Sequence, residues 1–388
     1  MVFSEAELLR ARGVEVRLEV FDNEPSQKSG LDGLVQLPCD CAWSRRSYTR
    51  VMELCREFRP DIVHVHNFWM KLSPSVHAAS RHSGIASVQT LHNFRLLCTN
   101  ALLFRNGHAC EDCVGKTPWR GVMRRCYRHS AIASGAVAAM IFVNRSRGTW
   151  EREVDAWIAL AEHSRQKFTE AGLPSGKIFV KPNFVPDPGP PVPPSSPPAV
   201  LYAGRLSPEK GVGILLKAWE RGRLGHYGRL LLAGDGPERI PLERMAASLN
   251  ISSSVEFLGH LDSSALAKMI QACRAVVAPS LCFENFPRVV VEAFAHGRPV
   301  IAANIGALNE IVNQHTGLRF PAGDCAALAD ALASILCGHR AGEKLGEAAR
   351  VEYLRNYTPE RNYQQLMSIY SFACKTAPIE CGASCASR

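Results

Sequence analysis

Eight prolines fall within residues 183–198, NFVPDPGPPVPPSSPP, and they constrain the fold more than any other feature of the chain. Proline fixes φ and lacks a backbone N–H, so this segment can form neither a helix nor a central strand. We interpret it as a semi-stiff linker between two domains. The chain has 388 residues, which is long enough for each domain to bury its own core.

Strand and helix patterns alternate before the linker, over residues 1–182. Residues 1–12 read as a helix that ends at Gly13, and VEVRLEVFD (14–22) alternates like a strand. The further expected elements are strands at 61–67, 85–93, 157–161 and 177–183 and helices at 48–58, 74–83 and 162–171. Strands that alternate with helices predict a parallel, doubly wound sheet.

A second alternation follows the linker, over residues 199–372. Its expected strands are AVLYAGRL, RLLLAGDGP, VEFLGHL, AVVAPS and PVIAAN, with helices at 211–222, 240–249, 263–272 and 287–296 and from Ala326 onward. The last residues, 373–388, contain three cysteines and little periodicity, and we expect them to be disordered. Two doubly wound domains should face a cleft at the carboxyl ends of their strands.

The charge of the chain is uneven. The net charge is +9, and residues 113–150 contain no acidic residue. The basic residues of that stretch are Lys116, Arg120, Arg124, Arg125, Arg128, Arg145 and Arg147. Such a block favours an anionic partner such as membrane phospholipid, nucleic acid or a phosphorylated substrate; the alternative is a solvated basic face.

No secretory signal is expected at the start of the chain, because Glu5 and Glu7 lie where a basic segment and an apolar run should be. The longest apolar stretch, Ala131–Val143, is too short to span a bilayer. We therefore expect a cytoplasmic protein that associates peripherally with a membrane.

Two cations follow the first strand of the second domain. In AGRLSPEKGV (203–212), Arg205 and Lys210 lie at the carboxyl end of that strand. Fixed cations there would stabilise the charge that accumulates on a diphosphate leaving group. The alternative is an ordinary surface pair in a turn.

The segment FENFPRVVVEAFAHGRPVIA (283–302) carries a stronger signal. Pro287 suits the first position of a helix and Gly297 the position after its end. Free N–H groups at such a helix start attract phosphate. Glu284 and Glu292 could each accept hydrogen bonds from vicinal sugar hydroxyls. An exposed helix acid is the alternative for Glu292, although an unpaired acid between Val291 and Ala293 would be costly.

Taken together, these motifs resemble the retaining glycosyltransferases of family 4, which have the GT-B fold. The resemblance rests on Glu284-x7-Glu292, on G-R-L-x-x-x-K-G around Arg205 and Lys210, and on the turn Gly234-Asp235-Gly236-Pro237. It covers most of residues 1–372. It implies a nucleotide-sugar donor and metal-independent catalysis with no catalytic cofactor.

The resemblance also implies roles for single residues. Arg205 and Lys210 would bind the donor diphosphate, Glu284 the sugar hydroxyls and Glu292 the ribose. Asn285 and Phe286 would complete the donor site, and Pro287 stands where the family often has glycine.

In the first domain, the resemblance assigns His92 of TLHNFRLLC to the catalytic site together with Glu284. His64 and His66 lie two apart on a strand and so share one face. They either reach the donor or are hydrogen-bonded core histidines. The family's usual first strand and glycine-rich turn have no counterpart ahead of the helix at residues 1–12, which would leave two strand edges exposed.

Four cysteines, Cys98, Cys110, Cys113 and Cys126, have the spacing C-x11-C-x2-C-x12-C. This spacing could complete a structural zinc site of four thiolates. The alternative is a set of ordinary thiols, since a C-x2-C pair also occurs by chance or in redox roles.

The leading hypothesis is a glycosyltransferase that moves a sugar to a glycan or lipid-linked acceptor in surface polysaccharide or glycolipid synthesis. Its expected partners are the nucleotide-sugar, the acceptor and an anionic membrane surface. The alternatives are an inactive nucleotide-sugar-binding scaffold and a nucleotide-sugar epimerase of similar fold. Nucleic-acid binding is not expected, because the sequence contains no groove-reading module or aromatic stacking platform.

Overall fold

The computed structural model describes residues 1–21, 41–69 and 72–377. Helices alternate with parallel strands, which confirms the predicted α/β class. The chain divides into two compact units. The first unit contains Met1–Leu102, Glu111–Lys181 and the chain from Tyr363, and the second contains Leu103–Cys110 and Pro182–Asn362.

The first unit is built on a sheet of four parallel strands in the order β1-β2-β5-β6. Its strands are β1 (Ile62–Val65), β2 (Ala86–Thr90), β5 (Ala156–Ala159) and β6 (Ile178–Val180). Its helices are α1 (Val2–Ala11), α2 (Arg45–Phe58), α3 (Ser75–His82), α4 (Trp119–Met123), α5 (Ala131–Ser146), α6 (Thr149–Arg152), α7 (Glu162–Glu170) and α15 (Pro359–Thr376). Every residue of β2 and β5 is buried, as expected for the interior of a parallel sheet.

Helix α15 packs against this sheet and corrects the prediction that the chain is disordered from residue 373. Leu366, Ile369 and Ala373 have helical spacing and are buried in one cluster with Val88 and Ile158. The helix therefore continues to Thr376 because its apolar face is covered. Residues 378–388 lie outside the described part of the chain.

The prediction of a strand over residues 14–22 is also wrong, because residues 14–20 are not part of a sheet. Residues 14–21 line one side of a cavity of about 780 Å³, and residues 62–69 line another. Alternation of apolar and polar residues defines the two faces of a strand but does not supply the partner with which it pairs. Asp22, the last residue of the predicted strand, lies outside the described residues.

The second unit contains a sheet of six parallel strands in the order β12-β11-β10-β7-β8-β9. These strands are β7 (Ala199–Ala203), β8 (Arg229–Ala233), β9 (Val255–Gly259), β10 (Ala275–Ala278), β11 (Val300–Ala303) and β12 (Gly317–Phe320). Its helices are α8 (Val212–Arg221), α9 (Arg239–Ser248), α10 (Ser263–Ala272), α11 (Arg288–Ala295), α12 (Gly306–Ile311), α13 (Cys325–Cys337) and α14 (His339–Asn356). The sequence predicted five of the six strands; β12 and the short α12 were not predicted.

The two units differ from the predicted domains in three places, and the first is the predicted linker at residues 183–198, which groups with the second unit. A hairpin of β3 (Phe104–Arg105) and β4 (His108–Ala109) groups with the second unit, although it falls within residues 1–182. The chain from Tyr363 groups with the first unit, although the second domain was predicted to extend to residue 372. The proline-rich residues 183–198 contain neither a helix nor a strand, and β7 begins directly after them.

A buried histidine joins α3 to the central strand of the first unit. The two ring nitrogens of His77 lie 2.7 Å from Ser87 Oγ and 2.7 Å from Gln89 Oε1. The carbonyl oxygen of Gln89 can only accept, so His77 donates from Nε2 and accepts from the Ser87 hydroxyl at Nδ1. Burial disfavours the imidazolium and lowers the pKa of His77 to about 4, with the Gln89 hydrogen bond opposing that shift.

This low pKa predicts a loss of stability in acid. Between the ordinary histidine pKa of about 6.5 and about 4, the unfolded chain binds a proton that folded His77 does not, so stability must fall as the pH falls through this range. The protonation difference at His77 contributes about 3 kcal/mol to the free energy of unfolding at neutral pH. Urea unfolding at pH 7.5 and pH 4.5 should show a smaller loss in His77→Gln than in the wild type.

The matched control is the exposed histidine at the end of the same helix, in the variant His82→Gln. If acidification lowers the free energy of unfolding equally in the wild type and in His77→Gln, the low pKa assigned to His77 is contradicted.

Candidate functional site

Apart from Glu292, the predicted donor residues of the second unit lie on loops that follow β7 and β10. Glycines allow these loops to pack closely. Gly211 has φ +71°, and a Cβ there would lie 2.0 Å from the carbonyl oxygen of Pro279. Gly234 has φ +139°, and its Cβ would lie 1.9 Å from the carbonyl oxygen of Gly204. Glycine is therefore required at both positions.

Lys210 and Glu284, 74 residues apart in sequence, form an ion pair on these loops. Lys210 Nζ lies 2.5 Å from Glu284 Oε1, and the Ser280 hydroxyl donates to the same oxygen at 2.6 Å. The loops are also joined through their backbones, because the N–H of Leu281 donates to the carbonyl oxygen of Glu209 at 2.8 Å. Ser280 is a site residue that sequence reasoning missed.

The ion pair is partly shielded from water, with the Glu284 side chain only 13% exposed. Burial disfavours the ammonium of Lys210, but attraction to Glu284 and the hydrogen bond outweigh it and raise the pKa of Lys210. Lys210 is thus a permanent, positioned cation at neutral pH.

Glu292 lies on α11 in a mostly buried setting. Burial raises the pKa of its carboxyl, and the nearby Arg288 guanidinium lowers it. Arg288 Nε is 2.9 Å from Glu292 Oε1 in an i, i+4 ion pair. The carboxylate therefore has a partner and is not the unpaired acid that its apolar sequence neighbours suggested. Pro287 is the N-cap residue of α11, one position before the helical position predicted for it.

The remaining predicted donor residues differ in exposure. Arg205 is exposed, and within the described residues its guanidinium forms no ion pair. Asn285 is buried, while the ring of Phe286 lies 6.2 Å from that of Tyr357. Arg205 and Lys210 are therefore cations of two kinds, one in solvent and one held by a carboxylate.

In the first unit, His92 follows β2 and contacts His66. His92 Nε2 lies 2.9 Å from His66 Nδ1, and the rings stack at 5.2 Å. Burial, with the neighbouring His66, lowers the pKa of His92 to about 4. The imidazole is therefore neutral at pH 7.

A buried ionic group next to these histidines was not predicted. Lys181 Nζ lies 2.7 Å from Glu5 Oε2, and the two side chains are 1% and 5% exposed. Burial alone would raise the pKa of Glu5, but Lys181 and the two imidazoles of His64 and His66 together hold it well below the usual value. In the sequence, only the lysine within the apolar strand segment KIFVKPN indicated a buried acidic partner.

The predicted four-cysteine zinc site is not formed. In the described part of the chain, the one group of three or more metal-binding side chains with donor atoms within 4.8 Å is Glu5, His64 and His66. The thiol of Cys98 instead donates to Asn100 Oδ1 at 2.9 Å. Spacing along the chain did not bring these cysteines to one point.

The acid-free stretch forms α4, α5 and the turns around them. Arg120 and Arg124 form ion pairs with Asp112, which lies just before the stretch. Trp119, Met123, Ile132 and Phe142 are all more than half exposed. We call these four residues and the arginines between them the α4–α5 surface. Among the described helices, none is long and apolar enough to cross a membrane.

Two family models match the chain and meet near the proline-rich segment. "Glycosyl transferase 4-like domain" matches residues 2–183, and "Glycosyl transferases group 1" matches residues 187–352. Both halves of the chain are therefore similar to glycosyltransferase domains, and this is the class of protein to which the matches point.

Individual relatives agree with this class. The chain is 31% identical over 303 residues to a glycogen synthase of Mycobacterium tuberculosis. The aligned residues cover 76% of this chain and 64% of the relative. The chain thus spans less than two thirds of that enzyme. It is 25% identical over 357 residues to the α-D-kanosaminyltransferase of Streptomyces kanamyceticus, covering 89% and 86% of the two chains.

A solved structure shows the same fold. HepE (Alr3699) of Anabaena, crystallised with UDP-glucose, aligns with a TM-score of 0.64 and 19% identity over 96% of this chain and 89% of that chain.

Lys210 and Glu284 should be energetically coupled, because their side chains are only 27% and 13% exposed and the Ser280 hydroxyl donates to the same carboxylate oxygen. In a double-mutant cycle with Lys210→Met and Glu284→Gln, we expect a coupling free energy of about 1–3 kcal/mol in urea unfolding of the second unit. Arg229 and Glu256, 2.8 Å apart but about half exposed, are the matched control. Arg229→Met and Glu256→Gln should couple by less than about 1 kcal/mol. Additive effects at the Lys210 pair would contradict the account.

Proposed function

We propose that this protein is a retaining glycosyltransferase that moves a sugar from a nucleotide-sugar donor to a glycan or lipid-linked acceptor. The observation that carries the proposal is the Lys210–Glu284–Ser280 group at the start of α11 in the second unit. A positioned cation, a carboxylate and a helix N-terminus form a site suited to a phosphorylated, hydroxyl-rich ligand.

The proposed roles follow the charges of the site. Lys210 and Arg205 neutralise the diphosphate as the bond to the sugar breaks. Glu284 accepts hydrogen bonds from sugar hydroxyls, and Glu292 accepts them from the ribose while sharing Arg288. Asn285 and Phe286 complete the donor pocket.

His92 is the proposed catalytic residue of the first unit. As a neutral imidazole it can donate one hydrogen bond and accept another without adding a cation next to a developing oxocarbenium ion. Catalysis then rests on charge stabilisation of the leaving nucleotide and on alignment of the acceptor, with no metal required.

The two alternative functions predict different results in an activity assay. An inactive scaffold would bind the nucleotide-sugar but release no nucleotide. An epimerase would convert the nucleotide-sugar without any acceptor. The decisive experiment is a donor screen for nucleotide release with and without an acceptor mixture, followed by NMR of the anomeric configuration of the product. Inversion would overturn the retaining assignment.

Removing a donor contact should slow the transfer strongly. Lys210→Met and Glu292→Gln should each reduce kcat/KM about 100-fold, because each loses a contact worth about 3 kcal/mol in the transition state. Steady-state nucleotide release measures this effect.

Two exposed residues of α8 provide the matched controls, in the variants Lys217→Met and Glu220→Gln. Both should keep wild-type rates. Donor-site variants that turn over like these controls would show that the donor binds elsewhere.

We further propose that the α4–α5 surface brings the enzyme to an anionic membrane, where a lipid-linked acceptor would reside. Trp119 is 62% exposed and Met123 65% exposed, and arginines lie beside them. Exposed aromatic and apolar side chains with interspersed cations are typical of surfaces that bind at the lipid interface. This assignment predicts peripheral association and protein localisation at the cytoplasmic leaflet.

Vesicle co-sedimentation tests the surface. Binding to vesicles with anionic lipid should exceed binding to neutral vesicles and fall with salt, since each arginine near such a surface contributes about 1 kcal/mol. Arg125→Gln/Arg128→Gln should weaken binding, and Trp119→Ser should weaken it further. Arg221→Gln/Arg223→Gln in the second unit is the charge-matched control. Equal binding to both lipids at all salt concentrations would reject the proposal.

A further inference from the structure

The histidines of β1 form, with Glu5, a cluster that the transfer reaction does not use. His64 is the third residue of β1 and His66 follows its last residue, so both rings leave the same face of the strand. Their ring centroids are 4.2 Å apart. Glu5 of α1 lies against both: its Oε1 is 3.5 Å from His64 Nδ1 and 3.4 Å from His66 Nε2.

These distances are too long for strong hydrogen bonds, and Glu5 Oε1 is buried without a hydrogen-bond partner. A buried, unsatisfied carboxylate oxygen is costly unless a ligand satisfies it. The same distances match the separation of about 3.4 Å between two ligand atoms that each lie about 2.0–2.1 Å from a tetrahedral Zn²⁺. The cluster thus has the size of a metal site.

The outer atoms of the three side chains are each held by a partner. His64 Nε2 is 2.8 Å from Thr90 Oγ1, and His66 Nδ1 is 2.9 Å from His92 Nε2. The other carboxylate oxygen, Glu5 Oε2, accepts from Lys181. Metal-binding histidines and carboxylates are typically oriented through such contacts, which also fix the ring tautomers.

We infer that Glu5 Oε1, His64 Nδ1 and His66 Nε2 form a binding site for a divalent transition-metal ion of the Zn²⁺ type. Two imidazoles and one carboxylate are a ligand set that such ions favour. Glu5, His64 and His66 all line the 780 Å³ cavity, so a water molecule from the cavity can supply the fourth ligand. The inference does not depend on the proposed transfer reaction.

Two neighbours must adjust to the ion. The hydroxyl of Tyr370 lies 2.8 Å from His64 Nδ1 and has to release that nitrogen. Tyr370 also lines the cavity, which gives its hydroxyl room to move. The ammonium of Lys181, which donates to the other oxygen of Glu5, must tolerate a second cation nearby.

The test is calorimetric titration of the full-length protein with Zn²⁺, followed by zinc-edge X-ray absorption. We expect about one ion per chain in a shell of nitrogen and oxygen at about 2.0–2.1 Å. Thr90→Val removes the partner of His64 Nε2 and should weaken binding roughly 10- to 100-fold. Thr99→Val, another buried threonine of the first unit, is the matched control and should bind like the wild type.

Circular dichroism of each variant establishes that it is folded before titration. The inference is overturned if the folded wild type binds no stoichiometric Zn²⁺, if sulfur at about 2.3 Å appears in the shell and so assigns the ion to cysteines, or if Thr90→Val and Thr99→Val bind equally.

Discussion

The ion pair of Lys210 and Glu284 is the interaction on which the proposed chemistry depends. Its members come from loops after different strands of one parallel sheet, and such loops meet at the carboxyl edge of the sheet. A lysine in this position would be mobile in solvent, but the carboxylate and the Ser280 hydroxyl fix the geometry. The close approach of the loops at Gly211 keeps the charged groups near the start of α11. A fixed cation stabilises a leaving diphosphate without reorganising during the reaction.

The two units use buried charge differently. In the second unit, Lys210 and Glu284 remain accessible enough to exchange partners with a ligand. In the first unit, Lys181 and Glu5 are almost fully enclosed, and the remaining oxygen of Glu5 faces two histidines. Desolvation cancels much of the Coulombic attraction in a buried pair of this kind. A contribution to stability is therefore a weak explanation for the presence of the pair. A ligand for the unsatisfied Glu5 oxygen would explain why the group is retained inside the unit.

The sequence predicted most of the fold because periodicity is a local property. The helix–strand alternation predicted the parallel sheets, and the motif around Glu284 predicted which loops carry charge. Contacts between distant residues were not predictable in this way. Lys181 and Glu5 are 176 positions apart, and only the unusual lysine in an apolar strand hinted at a partner. The segment 14–20 has the alternation of a strand, but pairing needs a neighbour that the pattern does not specify. The end of helix α15 was missed because residues 373–388 show little periodicity, and the cysteine spacing predicted a zinc site that the described residues do not form.

The most direct test of the account is a crystal structure of the protein with UDP or GDP, whichever it binds. An oxygen of the diphosphate should lie about 3 Å from Lys210 Nζ, beside the N-terminus of α11, with the ribose hydroxyls hydrogen-bonded to Glu292. A nucleotide bound elsewhere, with Lys210 and Glu284 still paired and Glu292 without contact to the ribose, would contradict it.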